Sequence, residues 1–441
     1  MSNEQTIAQR LDSLPLSRIH WKIVIVCGLG WLFDAMDAGI IAFVLAALMK
    51  QWQLTPGQVG WIGSMGLIGM FVGALMSGTL ADRIGRKKLF QATLLLFSIA
   101  TGLCGLAWNY SSLLILRFLV GFGLGGELPV ASTLVTEFAP SKYRGRLLVI
   151  LESFWAFGWT AAAIIAFLII PRFEQGWKIA FLIGFLPAFY VFYLRRSIPE
   201  SPRYLASTGR TEEALEVLRW METECGQPPA DVTTEVPKIE KPGWGKLWQG
   251  KFARRTIMLW VLWFCMVYSY YGIFTWLPSL LIKGGHELVK SFEYVLIITL
   301  AQIPGYFSAA YLVDRIGRKK TLVPFLFGCA IAAYLFGQAT NSTEIILYGC
   351  LISFFNLGAW GVVYTYTPEL YPTQLRGTGA GAAAGFGRIG GIVAPWVVAQ
   401  ILSANAGQTA VFTQFAIVVV LGAIVVAVLG EETRQRSLEE I

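Results

Sequence analysis

Six ionisable residues stand in stretches that are otherwise apolar: Asp34, Asp37, Arg117, Glu127, Glu152 and Arg388. A charge at the centre of a membrane-spanning helix costs at least about 2.5–3.5 kcal/mol, so each of the six needs a partner or a task. Their types point to two kinds of chemistry. Carboxyls take up and release protons, and a guanidinium offers a planar fork that fits a carboxylate. Asp34 and Asp37 are three residues apart and share a helix face, which puts two carboxylates side by side in a low-dielectric wall and favours keeping a proton between them. Arg388 is set among Gly385, Gly387, Gly390 and Gly391, which leave room for a ligand or a neighbouring helix to approach the guanidinium.

Little else in the chain could do chemistry. The six cysteines form no CxxC pair, and the two histidines, His20 and His286, cannot build a metal site. Gly121, Gly123 and Gly126 spell GxGxxG, but inside an apolar run with no preceding strand, so they read as close helix packing through small residues. With no nucleophile, metal cluster or phosphate loop, neither an enzyme nor a cofactor is expected.

The elements that carry these residues follow from composition. The 441 residues are 55% hydrophobic and only 14% charged, too little polar surface for a soluble globule. Apolar runs long enough to cross a bilayer fall at 22–49, 58–81, 89–108, 112–136, 147–170, 177–195, 254–282, 291–313, 321–339, 343–367, 378–402 and 409–429. The stretch GTLADRIGRKK from Gly78 returns as AYLVDRIGRKK from Ala310, 232 residues later. Glu137, Pro140, Arg144 and Gly145 return at the same interval as Glu369, Pro372, Arg376 and Gly377. The chain is therefore a duplicated unit, expected as an all-α integral membrane fold of twelve helices in two pseudo-symmetric six-helix bundles. The predicted organisation is a cytoplasmic segment 1–21, a first bundle 22–196, a cytoplasmic central loop with short helices 197–252, a second bundle 253–430 and a cytoplasmic tail 431–441.

Basic residues set the orientation. With both ends in the cytoplasm, only Lys50, Arg172, Lys178, Lys283 and Lys290 of the 35 Lys and Arg fall outside, while Arg117 and Arg388 lie within spans. The net charge of +8 is thus a topological signal with some attraction to anionic lipid, and nucleic acid is not an expected partner. Met1 to Lys22 is polar, so no secretory signal is expected there. At about 1.5 Å per residue, Asp37 lies about 20 Å from the cytoplasmic side and Arg117 roughly 8 Å from the outer side, so the two can meet in the outer half of the core. Arg388 falls near the midplane, and Glu127 and Glu152 nearer the inner third. Protonating Asp37 would free Arg117, whose buried guanidinium then needs an anion or a conformational change; a static pair between spans one and four is the alternative. A carboxylate on Arg388 would leave its remainder against aromatics. Candidates are Tyr268 and Tyr271 in the span-seven series Trp260, Phe264, Tyr268, Tyr271, Trp360 and Tyr364 in span ten, and Trp155 in span five; helix packing is the competing use of all of them, Arg388 included. The loop residues Asp82, Arg86, Glu137 and Arg144, mirrored by Asp314, Arg318, Glu369 and Arg376, can form an ion-pair network at the cytoplasmic ends, and several such pairs together can bias two conformations.

Gly78 to Lys88 and its repeat, with Pro199, Glu200, Ser201, Pro202 and Arg203 after span six, resemble the major facilitator superfamily over the whole chain, on its sugar-porter-like side. The second copy departs from the pattern at Ala310 and lacks the prolines around Glu432, which predicts weaker contacts there. Asp34 and Asp37 resemble the paired acids of aromatic-acid/proton symporters, Arg388 the span-eleven arginine of organic anion transporters, and Gly125 to Val130 the bacterial niacin transporters and their vesicle-protein relatives. The resemblance implies two bundles alternating access around a central site, with Asp37 and Arg117 as the coupling pair, Asp34 and Glu127 as further proton-binding acids, and the loop charges as the gate. It also implies import of an aromatic monocarboxylate such as nicotinate by proton symport in a bacterial inner membrane. The expected partners are a small-molecule substrate, protons and membrane lipid, with one chain as the working unit. A sugar symporter or facilitator and a non-transporting receptor or vesicle protein stay open as alternatives.

Overall fold

The computed structural model describes residues 5–140, 142–229, 232–233 and 244–433; the side chains at positions 5, 78, 79, 82, 128, 129, 195, 196, 232, 233, 314, 373, 374 and 376 are also outside the description. Asp82, Asp314 and Arg376, assigned above to the network, therefore lie outside the described residues. Spans one to five are the helices Arg18–Gln51, Pro56–Ile84, Arg86–Cys104, Tyr110–Phe138 and Arg144–Ile169. Span six is broken into Gly176–Ile183 and Pro187–Ser197, the second piece starting on a proline that has no N–H to continue the first. Span seven is Lys251–Lys283, span eight is split into Leu288–Leu300 and Gln302–Ile316, and Arg318–Gly337, Ser342–Glu369, Thr373–Ser403 and Gly407–Leu429 complete the set. Eleven of these units are long and apolar enough to cross a membrane. Arg86–Cys104 is the twelfth: its first turn is Arg86, Lys87, Lys88, which lowers its apolar share, yet its 19 residues reach about 28 Å.

Glycines let the helices of each half touch backbone to backbone. A Cβ on Gly121 would lie 1.8 Å from the Gly66 carbonyl oxygen, and one on Gly73 2.1 Å from that of Phe122, so spans two and four are in direct contact. The GxGxxG stretch serves helix packing on two sides: Gly121 meets span two, Gly123 meets Phe97 and Thr93 of span three, and Gly126 lies against Thr93 and Ser77. In the second half Gly305 stands equally close to the Phe354 carbonyl, joining spans eight and ten.

The duplication is clearest at the end that carries both termini. Gly85 and Gly317, 232 residues apart, have φ of +103° and +108° and turn the chain between spans two and three and between eight and nine. Arg86 pairs with Glu137 at 3.3 Å, and Arg318 with Glu369 at 2.8 Å. Glu200 accepts a hydrogen bond from the Lys87 N–H at 3.0 Å; Glu432 accepts from the N–H groups of Arg318 at 2.8 Å and Lys320 at 3.3 Å. The contacts around Glu432, expected to be weak, are therefore made in full. What the N-terminus of span nine needs is a carboxylate acceptor for its orphan N–H groups, and flanking prolines are not part of that requirement.

Arg144 is placed differently from the expected Arg86–Glu137 cluster. Its guanidinium bonds Asp12 at 2.5 Å, and Asp12 also holds Arg203 at 2.6 Å. The segment before span one is thus a docked element: Ile7 and Leu11 of the helix Ile7–Ser13 pack with Leu205 of Pro202–Ser207 and with Ala214, Leu218 and Met221 of Thr211–Glu224. Gln5–Thr6 pairs in parallel with Val232–Thr233, the one strand pair among the described residues.

At the far end the two halves close on each other. A Cβ on Gly60 would lie 2.8 Å from that of Ala399 and Ser64 donates to the Ile392 carbonyl at 2.7 Å; within the second half, Trp276 donates to the Pro395 carbonyl at 3.2 Å and fixes the same stretch of span eleven. Toward the termini-bearing end, span eleven faces open space at Gly377, Gly381 and Gly385.

Candidate functional site

Between the halves lies a cavity with about 580 Å³ of empty space. Span one contributes Trp31, span five Glu152 and Trp155, span seven Trp263, Tyr270 and Tyr271, span eight Tyr306, span ten Trp360 and Tyr364, and span eleven Arg388. Its walls are aromatic because helices one, five, seven and ten each turn one face of large rings inward. These rings are fixed in place. Trp155 donates from Nε1 to the Tyr270 hydroxyl at 2.6 Å, Trp263 donates to Thr367 at 2.9 Å, and Trp31 and Trp155 meet with ring centroids 4.7 Å apart.

Arg388 is half-buried in this wall, and among the described residues no carboxylate lies within 4 Å of it. Its polar neighbours are the thioether sulfur of Met70 at 3.7 Å, a weak acceptor, and the hydroxyl of Tyr271. A guanidinium in an aromatic cavity with no carboxylate in contact is an acceptor site for an anion.

Of the residues expected to line a site with Arg388, the structure brings Trp155, Tyr271, Trp360 and Tyr364 together with it. Tyr268 is a correction. Its hydroxyl donates to Gln414 of span twelve at 2.7 Å, and its ring stacks on Phe264 and meets Phe415. Span seven has two aromatic stripes at helical spacing. The stripe Trp260, Phe264, Tyr268 packs against spans eleven and twelve, whereas Trp263, Val267, Tyr270 and Tyr271 face the cavity. Spacing alone cannot tell these faces apart. Trp31, Trp263, Tyr270 and Tyr306 went unassigned for that reason; Glu152 stood out as a membrane-embedded charge, and its place on the cavity wall was the missing piece.

A second space of about 360 Å³ adjoins the first, lined by Arg117, Met70, Leu67, Thr275 and the shared Tyr271. Arg117 pairs there with Asp37 at 3.1 Å, with side chains only 5% and 1% exposed. Thr101 donates to the other Asp37 oxygen at 2.5 Å. Asp34 points elsewhere although it is three residues away. It is buried, neither oxygen has a hydrogen-bond partner among the described residues, and Glu127, Asp37 and Arg388 are its charged neighbours. Glu127 accepts from Thr93 at 2.8 Å through one oxygen, and its other oxygen would lie 2.9 Å from a Cβ on Gly30, one turn before Asp34. The intramembrane charges thus form a buried series reaching from the Asp37–Arg117 pair to the cavity wall at Arg388.

Two halves with a polar-ended cavity between them, closed at one end and open at the other, define a multi-pass membrane transporter. The chain belongs to the sugar (and other) transporter family of the major facilitator superfamily, whose model matches residues 33–441. It is a transporter and not an enzyme. It is 53% identical over 437 residues, 99% of either chain, to the niacin transporter NiaP of Acinetobacter baylyi, and 46% identical over 439 residues, 100% of either chain, to the putative niacin/nicotinamide transporter NiaP of Bacillus subtilis. Its fold is shared with the xylose transporter XylE from E. coli in a partially occluded inward-open conformation, with a TM-score of 0.77 at 17% identity over 96% of this chain and 100% of that one.

Proposed function

We propose that this chain imports a small aromatic monocarboxylate, nicotinate in the first place, together with a proton. The observation that carries this reading is Arg388, a guanidinium with no carboxylate in contact, set in the wall of an aromatic cavity between the halves. The carboxylate pairs with Arg388, and the ring lies among Trp155, Tyr271, Trp360 and Tyr364. The names of the two niacin-transporter relatives agree with an aromatic acid of this size.

Coupling to a proton follows from charge. Bringing a lone monoanion into a cell that is negative inside is opposed by about 2.3 kcal/mol per 100 mV, whereas one proton per anion makes the step electroneutral. Asp37 is the proposed carrier: its protonation removes the partner of Arg117 across a 3.1 Å contact, and Arg117 faces the space that Tyr271 shares with the substrate cavity. Asp34 and Glu127 continue the proton path toward Arg388. The moving bodies are the halves 22–196 and 253–430, joined by 197–252; at the termini-bearing end Arg86–Glu137 and Asp12–Arg144 brace the first half and Arg318–Glu369 the second, so each moves as a unit. With that end in the cytoplasm of a bacterial cell, the open cavity faces inward, and one chain is the working unit.

The test is binding by the purified protein. Arg388→Ala should lose nicotinate affinity by at least about 100-fold, as expected for removal of a charged hydrogen-bonding partner, while unfolding at an unchanged temperature. Wild-type protein should bind nicotinamide far more weakly than nicotinate, and Arg388→Lys should be intermediate because a point charge cannot form the two-pronged contact. Wild-type affinity for nicotinate in Arg388→Ala would refute the reading.

A further inference from the structure

The anion site leaves one charged group of the cavity without a task. Glu152, on span five, is buried and lines the same cavity as Arg388, but from the opposite half of the protein. Among the described residues no cation lies within 4 Å of its carboxyl. Its polar neighbours are the Trp31 indole and the hydroxyls of Tyr306 and Tyr364. Tyr364 shares the cavity wall with both Glu152 and Arg388 and is an electrostatic neighbour of each. An isolated carboxylate among aromatic rings is costly, whereas a carboxylic acid there keeps an O–H available for donation.

We propose that Glu152 is a specificity-determining residue: as a carboxylic acid it donates a hydrogen bond to a ring-nitrogen acceptor of a substrate whose carboxylate lies on Arg388. The substrate class is then a heteroaromatic monocarboxylate, with the carboxylate and the ring nitrogen on different edges of a flat ring, and a carbocyclic acid of the same shape is the substrate it disfavours. This rests on the anion reading of Arg388 given above. The bias arises because a carbocyclic acid would bury the Glu152 O–H against carbon with no acceptor, and a polar group left unpaired in this way discriminates more strongly than lost apolar contact does.

Binding of nicotinate and benzoate to purified wild-type protein, Glu152→Gln and Glu152→Leu tests it. Wild type should prefer nicotinate to benzoate by about tenfold or more. Glu152→Leu should bring the two within about twofold by removing the unpaired donor. Glu152→Gln should keep most of the preference, because its amide N–H also donates to a ring nitrogen; a merely structural carboxyl would show no such split between the two substitutions. An unchanged preference in Glu152→Leu, with benzoate still bound through Arg388, overturns the assignment of Glu152 and leaves the anion site standing. Absence of binding of either acid to the wild type overturns both.

Discussion

Asp37→Asn is the sharpest perturbation of the coupling scheme, because it keeps the shape of the side chain and fixes it in the form of a protonated acid. The pair it alters is nearly solvent-free, with Arg117 Nη1 at 3.1 Å from Asp37 Oδ2. At an effective dielectric near 20, two unit charges about 4 Å apart attract by about 4 kcal/mol, and removing one partner of a buried pair costs about 3–5 kcal/mol because the other is left uncompensated. An amide oxygen can still accept from Arg117, worth about 1 kcal/mol, so the expected loss in the outward-closed form is about 2–4 kcal/mol. The double substitution Asp37→Asn/Arg117→Gln should recover at least about half of that loss, since it removes the orphaned guanidinium. In proteoliposomes Asp37→Asn should bind nicotinate and exchange it across the membrane, yet fail to concentrate it when a pH gradient is imposed, and its uptake should lose its pH dependence. Accumulation at the wild-type level would remove Asp37 from the coupling role and leave Asp34 or Glu127 to carry the proton. Equal stability of the single and double variants would refute the electrostatic argument itself.

Two further outcomes follow from the contacts described. Glu432→Gln and Glu200→Gln should each lower stability by about 1 kcal/mol through weakened capping of spans nine and three; thermal unfolding reads this, and a second-copy effect of only a few tenths would mean that the repeat is unequal after all. Tyr268→Phe should cost about 1 kcal/mol by orphaning Gln414 while leaving nicotinate affinity within about twofold, and loss of binding would put Tyr268 back in the site.

The duplication was the most legible property of this sequence because it is written in charged and small residues, which few positions inside a membrane tolerate. The 232-residue interval links Arg86–Glu137 to Arg318–Glu369 and Gly85 to Gly317, and the structure pairs them alike. Depth counting along helices brought Asp37 to the level of Arg117, since rise per residue is nearly constant. Rotation about the helix axis was not legible in the same way. Trp260, Phe264 and Tyr268 have as regular a spacing as Trp263, Val267 and Tyr270, and which stripe faces the cavity depends on neighbours in spans eleven and twelve that carry no local signature. The docking of Asp12 on Arg144 and Arg203 was hidden for a related reason, because a single acid in a polar segment gives no hint of partners more than 130 positions away. The capping role of Glu432 was not legible because the prolines that mark its counterpart Glu200 are missing beside it, although the carboxylate alone does the capping.

The closure at the far end has a consequence for how such a chain can diversify. Ser64 and Trp276 bond to main-chain carbonyls of span eleven, at Ile392 and Pro395, and Gly60 leaves room for the same backbone. The lock therefore reads the path of span eleven and is largely blind to the side chains that span eleven carries. One helix holds both Arg388 and the latch, but only the former is specified by residue type. Mutations that retune ligand choice along span eleven can accumulate without unlocking that end, provided they neither bend the helix nor enlarge Ala399, whereas Gly60 and Ser64 of the opposing half, and Trp276 of span seven, have no such freedom.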